Sequence, residues 1–140
     1  ESYKDKNVRL LAEFDNFKRR SIQERKSLTK FAGESLVKDL LPALDDFSRI
    51  IDSIQEDSPI REGVILVKSK LEKTFEENGI ISFESTGNDF DPELHEALMS
   101  QETDDSKEGI VLNEFEKGYK YHDKILRHAK VVVSKAKQEA

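Results

Sequence analysis

The 140 residues contain no cysteine. Disulfides, thiol nucleophiles and cysteine-ligated zinc are therefore excluded, and a reducing compartment suits the composition. No apolar run approaches the roughly 20 residues that a membrane-spanning helix needs, and no secretory signal pattern is present. Because the chain opens on Glu1 rather than Met, a trimmed chain is expected. Glycine and proline are also sparse, with six Gly and three Pro, and no glycine-rich loop is built to cradle a phosphate, so direct nucleotide binding is not expected. The three histidines, His95, His122 and His128, lack the i, i+4 helical spacing of a metalloprotease motif. His122-Asp123 could orient an imidazole, but no nucleophile is paired with it. His95 reads as a structural histidine within its turn, and Asp104-Asp105 as an acidic surface loop rather than a cation site. No catalytic residue, cofactor or metal is expected, and the chain reads as an interaction protein.

What is abundant is charge. Charged residues make up 37% of the chain and hydrophobic residues 36%, a balance that suits exposed helices better than one thick core. The net charge of −6 is unevenly spread. Residues 1–40 carry ten Lys/Arg against seven Asp/Glu, residues 41–110 six against eighteen, and residues 111–140 seven against four. The C-terminal segment is thus basic on an acidic background. It can steer toward an acidic partner, or its lysines can simply keep an edge strand soluble.

Residues 1–41 read as one long helix, with no Pro and a single Gly, Gly33. Alternating steps of four and three from Leu10 pick out Phe14, Phe17, Ser21, Glu24, Leu28, Phe31, Ser35 and Lys38, a narrow and interrupted coiled-coil seam. A helix of about 40 residues is roughly 60 Å long, and little else in the chain is large enough to cover it. The expectation is a parallel homodimer whose pairing is weak at Ser21 and Glu24. The basic clusters Lys18-Arg19-Arg20 and Arg25-Lys26 read either as a contact for an acidic partner or as a solvated face. They lack the interleaved aromatics that stack on bases. Leu40-Leu41-Pro42 is expected to end this helix, since proline removes a backbone donor and clashes with the preceding turn.

A fuller apolar stripe, Leu40, Leu44, Phe47, Ile51 and Ile54, widened by Leu41 and Ile50, marks a helix from 42 to about 56. Asp57-Ser58-Pro59 signals a cap. Ile60, Val64, Val67, Leu71 and Phe75 give the next helix one face, and Asn78-Gly79 ends it. Two chains would pack these hairpins into a four-helix bundle. Gly63, inside the third helix, is either a point of close approach for a partner or a tolerated glycine.

From Ile80 the period changes to two. Ile81 and Phe83 mark a short strand, Leu94 to Gln101 another, and Ile110–Tyr119 and Lys124–Lys135 two more around a polar turn. The expected class is α+β: a stalk helix at 1–41, a helical hairpin at 42–79 and a small all-β domain at 80–140.

Two sequence pieces are distinctive: Phe90-Asp91-Pro92-x-x-His95-x-Ala97-Leu98, and Gly118-Tyr119-x-x-x-Asp123-x-x-Leu126-Arg127-x-Ala129-x-Val131-x-Val133. Together with Ala12-Glu13-Phe14-x-Asn16-Phe17-x-Arg19-Arg20 and Leu40-Leu41-Pro42-x-Leu44-Asp45, they cover about residues 8–137. In this the chain resembles the GrpE family, nucleotide exchange factors of DnaK-type (heat-shock 70) chaperones. It departs at His128, where members usually carry Pro or Ala, which bears on local strand geometry. The family's acidic leader is also missing, as trimming would explain.

The resemblance implies a parallel dimer with paired long helices, a four-helix bundle and two β heads, one of which contacts the nucleotide-binding domain of a chaperone. It implies contact residues Phe90, Pro92, Glu93, Phe115 and Lys124 on the head, Asp52 and Gly63 on the bundle, and Arg19 and Arg20 along the stalk. Lys124 stands where members often carry Arg, a better bidentate donor. Gly118 and Tyr119 are expected to hold the β fold. The dimer interface is expected to use Leu10, Phe14, Phe17, Leu28, Phe31, Leu40, Leu44, Phe47 and Ile51. The family's long helices melt reversibly on heating, and the weak Ser21/Glu24 seam is a reason for this chain to do the same. No cofactor, nucleic acid or membrane is implied, and the bacterial cytoplasm, or else an organellar matrix, is the expected location. The competing readings are a dimeric coiled-coil adaptor without exchange activity and a nucleic-acid-binding helix. The net charge opposes the second, and a hydrolase lacks a site.

Overall fold

The computed structural model describes residues 2–104 and 107–136. Its order is α1 (Tyr3–Phe31), α2 (Glu34–Ser53), α3 (Pro59–Glu77), then β1 (Ile80–Phe83), β2 (His95–Thr103), β3 (Val111–Glu116), β4 (Gly118–Tyr121), β5 (Lys124–Arg127) and β6 (Ala129–Ala136). This is the α+β architecture that the change of period announces. The chain divides into two compact units, Glu1–Ser35, which holds α1, and Leu36–Ala140.

Helix α1 starts where the Ser2 side chain accepts from the Asp5 amide at 3.3 Å, and its ends complement the helix dipole with Asp5 in the first turn and Lys30 in the last. None of its residues is buried, and Leu10, Phe14, Phe17 and Leu28 are each between 61% and 72% exposed. The expected seam is therefore an open apolar stripe on the single chain.

The helix break falls at Ala32–Gly33, not at Pro42. Helix α2 runs straight through Pro42. An interior proline costs about 3 kcal/mol. The leucines on either side offset it, because Leu41 is 0% and Leu44 2% exposed, and burying each contributes about 1.5–3 kcal/mol. Gly33 has no such compensation, since Leu36 and Leu28 beyond it are exposed and an interior glycine costs about 1 kcal/mol.

The cap expected at Ser58 is present. Its hydroxyl accepts from the Arg61 amide at 3.1 Å, and the Arg61 side chain reaches back to the Ile54 carbonyl at 3.1 Å, closing the α2–α3 connection. Gly79, with φ of 81°, stops α3, and only a residue at ease in left-handed backbone fits there.

The six strands form two three-stranded sheets, ordered β1-β4-β5 and β2-β6-β3. All pairings are antiparallel except β2 with β6. The two long strands expected at 110–119 and 124–135 are each broken, at Lys117 and at His128, so that both arms cross from one sheet to the other. Gly118 permits the crossing. A Cβ there would lie 2.1 Å from the Phe83 ring and 2.8 Å from the Ala129 amide nitrogen. The domain core lies between the sheets: Val111, Ala129 and Val131, covered by Phe83, Phe90 and Val133. The tip of the hairpin is the two-residue turn His122-Asp123, with His122 at φ 57°. There its ring stacks on Tyr121 at 4.8 Å and its amide donates to the Gly79 carbonyl at 2.7 Å.

Candidate functional site

Arg127, at the end of β5, ties the β domain to the helical hairpin. Its Nη1 donates to Asp45 Oδ2 at 2.6 Å and to Glu116 Oε1 at 3.3 Å. Its Nη2 donates to Asp45 Oδ1 at 3.0 Å and to the Lys117 carbonyl at 2.7 Å, and its Nε to that same carbonyl at 3.0 Å. The guanidinium also sits over the Tyr119 ring at 5.4 Å, and Lys130 pairs with Glu116 at 3.5 Å. The Arg127 and Asp45 side chains are only 13% and 27% exposed. A bidentate pair this sheltered is stronger and less screened than a surface ion pair. Burial pushes the Tyr119 hydroxyl up to about 12, against the opposing pull of Arg127.

Beside this junction opens a cleft of about 700 Å³, walled by α2, α3, β1, β3 and β4. Asp52 of α2 and Phe115 of β3 both line it, with Phe75 and Tyr119 among its aromatic residues. Phe115 is 56% exposed. Glu114 also lines the cleft, and its Oε2 is buried without a hydrogen-bond partner.

A second feature is the turn ahead of β2. The Asp91 carbonyl accepts from the Leu94 and His95 amides at 3.0 and 2.8 Å, and Asp91 Oδ1 accepts from the Glu93 amide at 2.9 Å. The Asp91 amide donates to His95 Nδ1 at 3.0 Å. The imidazole is buried beside Phe83 and Phe90, and its Nε2 has no partner. His95 thus holds the turn, as expected of a structural histidine, and Pro92 and Glu93 stand exposed on its outside.

The expected contact residues are distributed as follows. Asp52 and Phe115 share the cleft. Pro92 and Glu93 lie on the turn, while Phe90 is partly buried against the core. Lys124 is exposed at the start of β5. Gly63 is exposed on α3, and a methyl group added there would have nothing within 4 Å. Arg19 and Arg20 are exposed on α1. Of the expected interface residues, Leu44 is already buried within its own chain, Phe31, Phe47 and Ile51 are half-buried, and Leu40 is 43% exposed. Gly118 and Tyr119 are buried in the fold, as expected. Sequence reading did not single out the Arg127–Asp45 junction. Its signal was present, since Asp45 closes one distinctive piece and Arg127 sits within another.

Among the described residues no group of three or more His, Asp or Glu is placed to hold a metal. Asp104 lies at the end of β2, and Asp105 lies outside the described residues. No described helix is long and apolar enough to cross a membrane.

A family model described as GrpE matches residues 1–135. Among curated proteins, the chain is 41% identical to the Protein GrpE of Methanosphaera stadtmanae over 135 residues, covering 96% of this chain and 78% of that protein. It is 38% identical to the Protein GrpE of Bdellovibrio bacteriovorus, covering 96% and 80%, and 38% identical to that of Chloroherpeton thalassium, covering 96% and 69%.

Proposed function

Because this chain belongs to the GrpE family, we propose that it is a co-chaperone of a DnaK-type chaperone, acting as a homodimer that accelerates release of bound ADP. The observation that carries the reading is the cleft that Asp52 of α2 and Phe115 of β3 both line. It makes one continuous surface of residues assigned to the helices and to the head by resemblance. Lys124 and the Pro92-Glu93 turn add further exposed contacts on the head. The open stripe on α1 supports self-association, since contiguous exposed apolar surface marks an interaction face.

The mechanism is differential binding. The factor favours the chaperone with its nucleotide cleft open, and ADP favours it closed. Linkage then requires each ligand to weaken the other by the same factor. ADP leaves, ATP enters and the client is released, with no bond made or broken by this chain. The bacterial cytoplasm is the setting this reading implies, without nucleic acid or membrane.

The test is stopped-flow release of a fluorescent ADP analogue from the cognate chaperone. Acceleration by the chain, lost in Phe115→Ala and in Lys124→Ala, is expected. A folded dimer that leaves the release rate unchanged would leave the adaptor reading in its place.

A further inference from the structure

We propose that Arg127 is a positioning residue for this exchange activity: it fixes the angle of the β head on the α2–α3 hairpin, and that fixed angle is what lets the factor force a nucleotide cleft open. The inference rests on the exchange reading above.

A guanidinium carries five N–H donors in one plane, and at Arg127 all five have acceptors. Two go to the Asp45 carboxylate, one to Glu116 and two to the Lys117 carbonyl. Asp45 lies on α2, 82 positions away in sequence, whereas Glu116 and Lys117 belong to the head. One rigid fork thus spans the joint. The groups around it balance: Arg127 and Lys130 face Asp45 and Glu116. The Tyr119 ring covers the guanidinium on one side.

The location matters as much as the bonding. Lys117 is the corner where the chain leaves β3 for β4, and Arg127 is the last residue before the matching corner at His128. The fork therefore grips the head at the point where its two sheets exchange strands. A partner touching Phe115 on the head and Asp52 on α2 contacts both sides of this joint. If the joint swings, each surface can still bind, but binding energy no longer favours one separation of the partner's lobes. The coupling between factor and ADP is lost while affinity is largely kept. Lysine cannot replace the fork, because it offers three donors around a point charge and no planar bidentate grip.

The test uses the 140-residue chain carrying Arg127→Lys, with Asp45→Asn as a second variant on the helix side. The absence of native cysteine allows spin labels at Lys70→Cys on α3 and Glu96→Cys on β2, with labelled chain diluted into unlabelled chain so that each measured pair lies within one protomer. In the parent the label–label distance distribution is expected to be narrow, and in both variants broad. Apparent affinity for the chaperone should change by no more than about threefold. The maximal acceleration of ADP release at saturating factor should fall about tenfold, within the usual span of allosteric coupling. A narrow distribution in a folded variant, or full acceleration despite a broad one, overturns the proposal. Loss of affinity with maximal acceleration intact also overturns it, since Arg127 would then be a contact and not a positioning group. Should Arg127→Lys fail to fold, Asp45→Asn alone decides by the same readouts. A parent that binds but never accelerates release refutes the exchange reading, while the distance distributions still report whether the fork sets the angle.

Discussion

Replacing glycine by alanine should move this protein's stability in opposite directions at two positions, and the structure gives both signs. At Gly118 a Cβ would meet Phe83 Cζ at 2.1 Å, Phe83 Cε1 at 2.6 Å and the backbone nitrogen of Ala129 at 2.8 Å. The Phe83 ring can turn only by disturbing the core it covers. Ala129 N can withdraw only by straining its bond to the Leu94 carbonyl at 3.0 Å. Overpacking costs about 1–3 kcal/mol, and losing that hydrogen bond adds about 1 kcal/mol. Gly118→Ala should thus destabilise the β domain by about 2–4 kcal/mol. At Gly63, five residues into α3 from its Ser58 cap, nothing lies within 4 Å of the same added methyl. Alanine is the better helix former by about 0.8–1.0 kcal/mol, so Gly63→Ala should stabilise α3 by nearly that much. Urea unfolding followed by circular dichroism, at one fixed protomer concentration, measures both changes. A Gly118→Ala loss under about 0.5 kcal/mol, the scatter of neutral surface substitutions, would mean that the two sheets are not held at the separation described. A Gly63→Ala loss of any size would mean that a neighbour, such as a second copy of the chain, already occupies the space beside α3.

Other perturbations test other links. Ser58→Ala removes the acceptor for the Arg61 amide and should cost about 1 kcal/mol in the same urea experiment, whereas Ser58→Asn should restore it. In an alkaline titration followed by near-ultraviolet phenolate absorbance, one tyrosine should ionise only near pH 12, and Tyr119→Phe should abolish that component. The hydroxyl is raised above its ordinary value of 10.0. Its contribution to stability is therefore complete below about pH 10 and is lost as pH climbs from about 10 toward about 12. Phe17→Glu puts a charge on the open stripe of α1, and sedimentation should show the proposed dimer weakened at least tenfold. An unchanged dimer would show that α1 does not carry the association.

Much of the fold was legible because local signals agreed with the tertiary structure. Ser58-Pro59 and Asn78-Gly79 bound α3 by side-chain and left-handed-backbone effects that need no distant partner. The strand expected at Ile81 and Phe83 forms as β1, although its burial does not follow the expected alternation: Ile80 is buried, Ile81 exposed, and Phe83 packs on the core. Where tertiary energy overrides a local rule, the reading failed. Pro42 breaks an isolated helix, but flanking leucines with almost no exposure hold α2 through it. Lys117 and His128 interrupt runs of strand-forming residues because the chain there must pass between two sheets, a demand that a residue's own preference does not carry. The same holds for the junction: no spacing rule relates Asp45 to Arg127, although each stood inside a distinctive piece of sequence.

The allocation of apolar residues supports the proposal that association and partner contact fall to different elements. The β domain uses many of its apolar residues internally: Val111, Leu126, Ala129, Val131 and Val132 are buried, and Phe83 and Phe90 cover the core. Ile81, Leu98, Met99 and Phe115 stay exposed, and at the cleft Phe115 is mixed with charge beside Glu114, Glu116 and Lys117. A surface of that kind suits a partner that must come and go, because few groups are desolvated and the charges set specificity more than affinity. Helix α1 does the reverse and buries none of its residues. Leu10, Phe14 and Phe17 lie along one face and leave a stripe open to water, and a helix that is polar on one side and uncovered on the other gains stability only by packing. The proposed homodimer interface is accordingly placed on α1. If that pairing forms, the interruption of the stripe by Ser21 and Glu24 is where it is expected to open first on heating.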